Sequence, residues 1–223
     1  MKILVMNEPR ARVARQHPAI KGKKLLATGQ FSAVYEGSTP DTVHKLTVDP
    51  AAYWLFNDGV VGVAGKHFPK TVNDFGSIGD TVVHANLRAG RPREVPIFLY
   101  EQERLVPLPM KSEQRRLASK IIKAARAASG NSQLFKGFSS THRARDVDDA
   151  KLTLNELSNA EELPESLREA AYELSKFCDY YDDLFLDMHY GNFMVRPETG
   201  DLIFSDPFGC SSIFRGHKNY DYG

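Results

Sequence analysis

The sequence predicts an α+β protein in two lobes, on three observations. The first half is made of short β-prone runs punctuated by Gly and Pro. The second half carries two long stripes of apolar residues at helical spacing and a single hairpin. Between the halves stand Pro107 and Pro109, which break either kind of element. A β-rich N-lobe over 1–106 and a short helical C-lobe over 107–223, with a cleft between them, follow from this order.

In the N-lobe, Leu25 to Thr28 and Ala33 to Tyr35 read as strands flanking Gly29, and Val43 to Thr47 alternates as a third. Pro50 opens a short helix to Asp58, because proline suits the first helical turn. His67-Phe68-Pro69 then breaks the chain toward further strands, of which Ile97 to Tyr100 is the firmest. In the C-lobe, Leu117, Ile121, Ala124 and Ala128 fall on one face of a helix from Lys111 to Ser129, stopped by Gly130. Gly137 to Asp146 reads as a loop. From Pro164 the steps Leu167, Ala170, Leu174, Phe177 and Tyr181 mark the strongest helix. Phe193 to Val195, a turn from Pro197 to Asp201, and Leu202 to Phe204 form the hairpin.

The 223 residues suffice for one domain split into two lobes, and 42% hydrophobic with 26% charged residues is a globular composition rather than a disordered one. A formal net charge of +1 argues neither for nor against nucleic acid, and direct nucleic-acid binding is not expected. Cys178 and Cys210 make neither a disulfide framework nor a metal spacing and suit a reducing cytoplasm. Met1 to Met6 is too short an apolar run for a signal peptide, and no run could span a membrane. Charge is uneven, however. Lys111 to Arg145 holds nine Lys or Arg against Glu113, whereas Asp146 to Asp187 holds thirteen Asp or Glu against three Lys or Arg. Adjacent blocks of opposite sign imply solvated helix faces that attract each other, with docking of an acidic partner as the alternative.

The densest chemistry runs from Leu186 to Gly209. Asp187-Met188-His189-Tyr190-Gly191-Asn192 precedes the hairpin, and Asp206 follows its second strand. Phosphoryl transfer needs an aspartate at the attacking hydroxyl and oxygen ligands for the metal that neutralises the phosphates. Five positions apart on one loop, Asp187 can face the acceptor and Asn192 the metal, while the hairpin returns Asp206 beside Asn192. Magnesium suits such oxygens and keeps waters and phosphates as its other ligands. The competing reading makes Asp187 a cap, Asn192 a turn residue and Asp206 a strand terminus.

These residues resemble the protein-kinase superfamily, in which an Asp is followed five residues on by Asn, then by a short hairpin and the Asp of a D-F-G-type triplet. The form D-x-H-x-G-N is similar to the loops of aminoglycoside-phosphotransferase-like and phage-encoded kinases. Across 25 to 210 the chain resembles the early serine/threonine protein kinases of podovirus-type coliphages, through G-Q-F-S-A-V-Y, the strand lysine, D-M-H-Y-G-N and S-D-P. The resemblance implies a minimal bilobal protein-kinase-like fold, with ATP and Mg2+ (or Mn2+) as cofactors and host proteins of transcription or RNA metabolism as substrates in the bacterial cytoplasm. It implies a nucleotide-covering loop at Gly29, Gln30, Phe31, Ser32 and Val34, with Lys45 pairing the α- and β-phosphates. Backbone groups around Glu101, Glu103 and Leu105 would meet the adenine edge, and Asn192 and Asp206 would hold the metal. Asp187 would act on the acceptor hydroxyl, with His189 donating to the γ-phosphate.

Departures from the family are visible. One glycine remains of three in the loop; Phe185 and Leu186 replace the His and Arg before the Asp; and only Asp58 offers itself as the acid that braces the lysine. Fourteen residues follow Gly209, leaving little room for an activation segment. Two other functions therefore remain open: a kinase-fold phosphotransferase for small molecules, and a pseudokinase-type binder of host proteins.

Overall fold

The computed structural model describes residues 9–29, 31–83, 93–128, 146–210 and Ile213. It is a mixed α+β structure with antiparallel strand pairs and several helices. Contacts divide the chain into two compact units: Met1–Tyr53, Lys70–Arg104 and Ser212–Gly223 form one, and Trp54–Pro69 with Leu105–Ser211 the other. Where the sequence reading drew one boundary, after 106, the contacts draw several, and 54–69 goes with the second unit.

The first unit is a five-stranded sheet. Its strands are β1 (Leu25–Thr28), β2 (Ser32–Glu36), β3 (Thr42–Thr47), β4 (Thr71–Val83) and β5 (Arg93–Glu103), in the order β1-β2-β3-β5-β4. A short helix, α1 (Pro9–Ala14), precedes them. In β2 the burial alternates, Ala33 and Tyr35 inside and the others half-buried. In β3, a central strand of the sheet, every residue after Thr42 is buried.

The longest strand, β4, has three register shifts against β5. Gly76 (φ 70°) and Gly79 (φ 151°) sit at two of them, in backbone conformations a β-carbon resists. Those shifts break the period-2 pattern. For that reason the sequence shows only unspecified strands there.

The second unit holds α3 (Glu113–Ala128), α4 (Asp146–Ser158) and α5 (Glu165–Phe177); α2 (Pro50–Asn57) straddles the division, its first turn capped by the Asp49 carboxylate on the Ala51 amide, 3.0 Å. In α3 the buried residues are Ala118, Ile121, Ile122 and Ala125, so the inner face is rotated about one residue from the expected stripe. No helix was expected at α4, where dense acidic residues mask the inward set Ala150, Thr153, Leu154 and Leu157. Helices α3 and α4 do pack together. On α5, Leu167, Ala170, Leu174 and Phe177 are buried as expected, but the helix ends at Phe177 and Tyr181 lies beyond it. No helix among the described residues is long and apolar enough to cross a membrane.

Short strands complete this unit: β6 (Val106–Pro107), β7 (Leu184–Leu186), β8 (Phe193–Val195), β9 (Leu202–Phe204) and β10 (Phe208–Cys210). They form a three-stranded sheet β6-β8-β9 and a β7-β10 pair. The expected hairpin is β8-β9, with Phe193 opposite Phe204. Buried Arg196 anchors it by donating to the carbonyls of Lys66 (2.7 Å) and Phe68 (2.9 Å). His67 ties the same segment to β9 and α5, its ring meeting the Leu202 carbonyl at 2.7 Å and the Ser166 hydroxyl at 2.8 Å.

Candidate active site

All six residues of β7 and β10 are buried, and Leu186 pairs with Phe208. The Asp187 amide continues the ladder by donating to the Pro207 carbonyl, 2.8 Å. This extra rung sets Asp187 beside Asp206-Pro207, although nineteen positions separate the two aspartates in sequence. On the hairpin side, the Ser205 amide donates to the Asn192 carbonyl, 3.0 Å, so the residue before Asp206 is held against Asn192. Four strands, β7 to β10, thus converge on one loop.

The loop is shaped by its own hydrogen bonds. Tyr190–Asn192 is a single 3-10 turn with the Asn192 amide donating to the His189 carbonyl, 2.9 Å. The His189 Nδ1 accepts from the Gly191 amide at 3.0 Å, which leaves the ring hydrogen on Nε2, 3.7 Å from Asp187 Oδ2. A β-carbon on residue 191 would lie 2.9 Å from His189 Cε1, so glycine is required for the ring to fold over the turn. The Asn192 side chain donates through Nδ2 to the Asp187 carbonyl (2.7 Å) and to its Oδ2 (3.0 Å). With Nδ2 committed, the atom Asn192 offers a cation is its oxygen.

Electrostatics follow the same geometry. Burial raises the Asp187 carboxyl above the usual carboxylate range; the nearby His189 opposes this, the Asp206 charge adds to it, and the Asn192 hydrogen bond opposes it. Its side chain remains 28% exposed, open to a ligand. Among the described residues no group of three or more His, Cys, Asp or Glu could hold a metal. An amide oxygen from Asn192 and a carboxylate from Asp206 would fit magnesium delivered with a polyphosphate.

The residues expected to meet nucleotide in the first unit are arranged by sheet register. Val34, Lys45 and Tyr100 form one cross-strand row and share a face. Lys45 is only 7% exposed, and Val43 lies on its side of β3. Tyr35, His44 and Glu101 form the next row, on the opposite face.

Glu101 is buried and accepts from the Ser38 amide (2.6 Å), the Ser38 hydroxyl (3.1 Å) and the Thr42 hydroxyl (2.5 Å). Burial raises its carboxyl, yet the Thr42 and Ser38 hydrogen bonds together take it below the usual range. Its side chain holds the β2-β3 turn. The expected adenine contact also narrows. The Glu103 amide is committed to the Lys70 carbonyl (2.9 Å) and the Arg104 amide to Asp41 (2.8 Å), so neither can donate to a base. Leu105, buried in the second unit, retains that expectation.

The Gly29 amide donates to the Ser32 carbonyl, 2.8 Å, closing the β1-β2 hairpin. Gln30, at the tip of this hairpin, lies outside the described residues. Phe31, expected in the nucleotide-covering loop, is buried. Asp58, the candidate brace for Lys45, is engaged elsewhere: it accepts from the Val60 and Val61 amides and, at 2.7 Å, from the Tyr181 hydroxyl. Those bonds hold its carboxyl below the usual range.

Two features lay outside the sequence reading. The Arg115 guanidinium lies over the Tyr190 ring, 4.4 Å from its centre, so Arg115 belongs to the loop and not to a solvated basic face. No spacing signal links positions 75 residues apart. Of the other basic positions, Lys111, Arg116, Lys120 and Lys123 are exposed, while Lys136, Arg143 and Arg145 lie outside the described residues. A cavity of about 730 Å3 lies between residues 64–68 and α5 and includes none of the expected site residues. In comparisons with protein-family models, curated proteins and solved structures, no match to the chain was found.

Proposed function

We propose that the chain is an ATP- and magnesium-dependent serine/threonine protein kinase with a two-lobed protein-kinase-like fold. Its substrates are proteins of a bacterial host, as the resemblance to phage kinases implies. The observation that carries the reading is the carboxylate of Asp187, steered by Asn192, with the Asp206 charge beside it. Asp187 accepts the proton of a Ser or Thr hydroxyl as its oxygen bonds to the γ-phosphorus; the bond to the bridging oxygen breaks and ADP leaves. A carboxyl raised by burial is a stronger base than a solvated one. The Asn192 oxygen and the Asp206 carboxylate would hold magnesium, which supplies neutralisation of the phosphate charge when bound. Nε2–H of His189 is the donor the loop offers to the transferred group. Lys45 keeps the role of pairing the α- and β-phosphates.

Labelled ATP distinguishes the classes. With γ-labelled ATP, magnesium and bacterial lysate, label should enter acid-precipitable protein and be recovered as phosphoserine or phosphothreonine. Label confined to the small-molecule fraction would instead identify a small-molecule phosphotransferase, and no transfer with either metal would leave a binding protein.

A further inference from the structure

The guanidinium of Arg115 is placed with more care than a surface charge needs. Ser112 caps the first turn of α3 by accepting from the Arg115 amide, 3.1 Å, and Gln114 donates to the Gly200 carbonyl, 2.8 Å, tying that turn to the β8-β9 connection. The side chain then lies over Tyr190, three residues beyond Asp187, on a ring that is itself 40% exposed. The ring holds the cation at the loop, 4.4 Å from its centre. Its edge N–H groups make no hydrogen bond or ion pair among the described residues. A guanidinium serving only the fold would direct those donors at a carboxylate or a carbonyl. Here a guanidinium fork with no charge partner among the described residues stands beside the loop that would receive the acceptor hydroxyl.

We infer that Arg115, held on Tyr190, reads an anionic side chain near the acceptor residue of the protein substrate. This rests on the kinase reading, since it names the substrate class of the same loop. The fork fits a carboxylate or a phosphomonoester by two parallel N–H···O bonds, and the Tyr190 ring keeps it from collapsing onto the loop. Acidic or already phosphorylated segments are therefore the preferred acceptors, and neutral ones the poorer.

The test is a set of serine peptides, identical except for one Glu or phosphoserine walked through the positions on either side of the acceptor. Relative kcat/KM should favour the anion at one position by about tenfold, the scale of a charge-assisted hydrogen bond. In Arg115→Ala the ratio of anionic to neutral peptide should fall to about one, and in Arg115→Glu it should invert in favour of a Lys peptide. Lys176→Ala, which removes the comparable cation over Tyr172 on α5, should keep the wild-type ratio. Glu and phosphoserine arms that differ show which anion is read. A flat profile, or a preference that survives Arg115→Ala, overturns the inference. If no peptide is phosphorylated by any variant, the kinase reading fails. Fluorescence anisotropy of the labelled anionic peptides then decides the clamp alone: it stands if Arg115→Ala weakens binding about tenfold and falls if binding is unchanged.

Discussion

At the scale of single residues, the loop shows why some positions are legible in a sequence and others are not. Asp187, His189, Gly191 and Asn192 could be marked because they are close in the chain and their chemistry depends on local spacing. The structure adds the reason for Gly191, whose missing β-carbon makes room for the His189 ring. In Gly191→Ala the ring must shift, and transfer should fall about tenfold or more while the melting curve changes little, because the turn is exposed. A rate within twofold of wild type would show that the His189 position is immaterial. Arg115 and the hydrogen bonds that claim Glu101 were not legible, since each depends on partners tens of residues away.

At the scale of elements, the hairpin β8-β9 and helix α5 were readable because each is a short, regular pattern with burial on one side. Strands β7 and β10 were missed: three residues, all buried, carry no period at all. Strand β4 was obscured by its bulges, and α4 by its acidic residues. What binds the elements of the second unit together includes a residue that titrates. Burial holds the His67 imidazole below its usual value of 6.5; the Leu202 carbonyl opposes this, and the nearby Lys66 adds to it. The unfolded chain therefore takes up the proton first as pH falls through about 6.5, and its folded counterpart only lower. Stability present above pH 6.5 is lost progressively below it. Urea midpoints measured from pH 8 downward should decline in that window, and His67→Asn should start lower but decline less. Equal slopes for the two proteins would mean that another group governs the acid limb.

At the scale of the whole molecule, the α+β class was legible, because hydrophobic period changes character along the chain. The allotment of 54–69 to the second unit was not, as it depends on long-range anchors such as Arg196. A molecule that holds nucleotide through two protein oxygens and a metal should be stabilised by ATP only with a divalent cation present. At about 100 Kd the gain is about 2.7 kcal/mol, a rise on the order of 5–10 °C in Tm. Asp206→Ala should abolish the metal-dependent part; if that part survives, the metal assignment is wrong. The central claim is that Asp187 does chemistry and does not merely hold the loop. It is tested by measuring phosphoryl transfer and ATP affinity side by side in wild type and Asp187→Asn. Transfer should fall roughly a hundred- to ten-thousand-fold with affinity within a few-fold of wild type. An equal loss of both, or transfer that persists, would contradict the account.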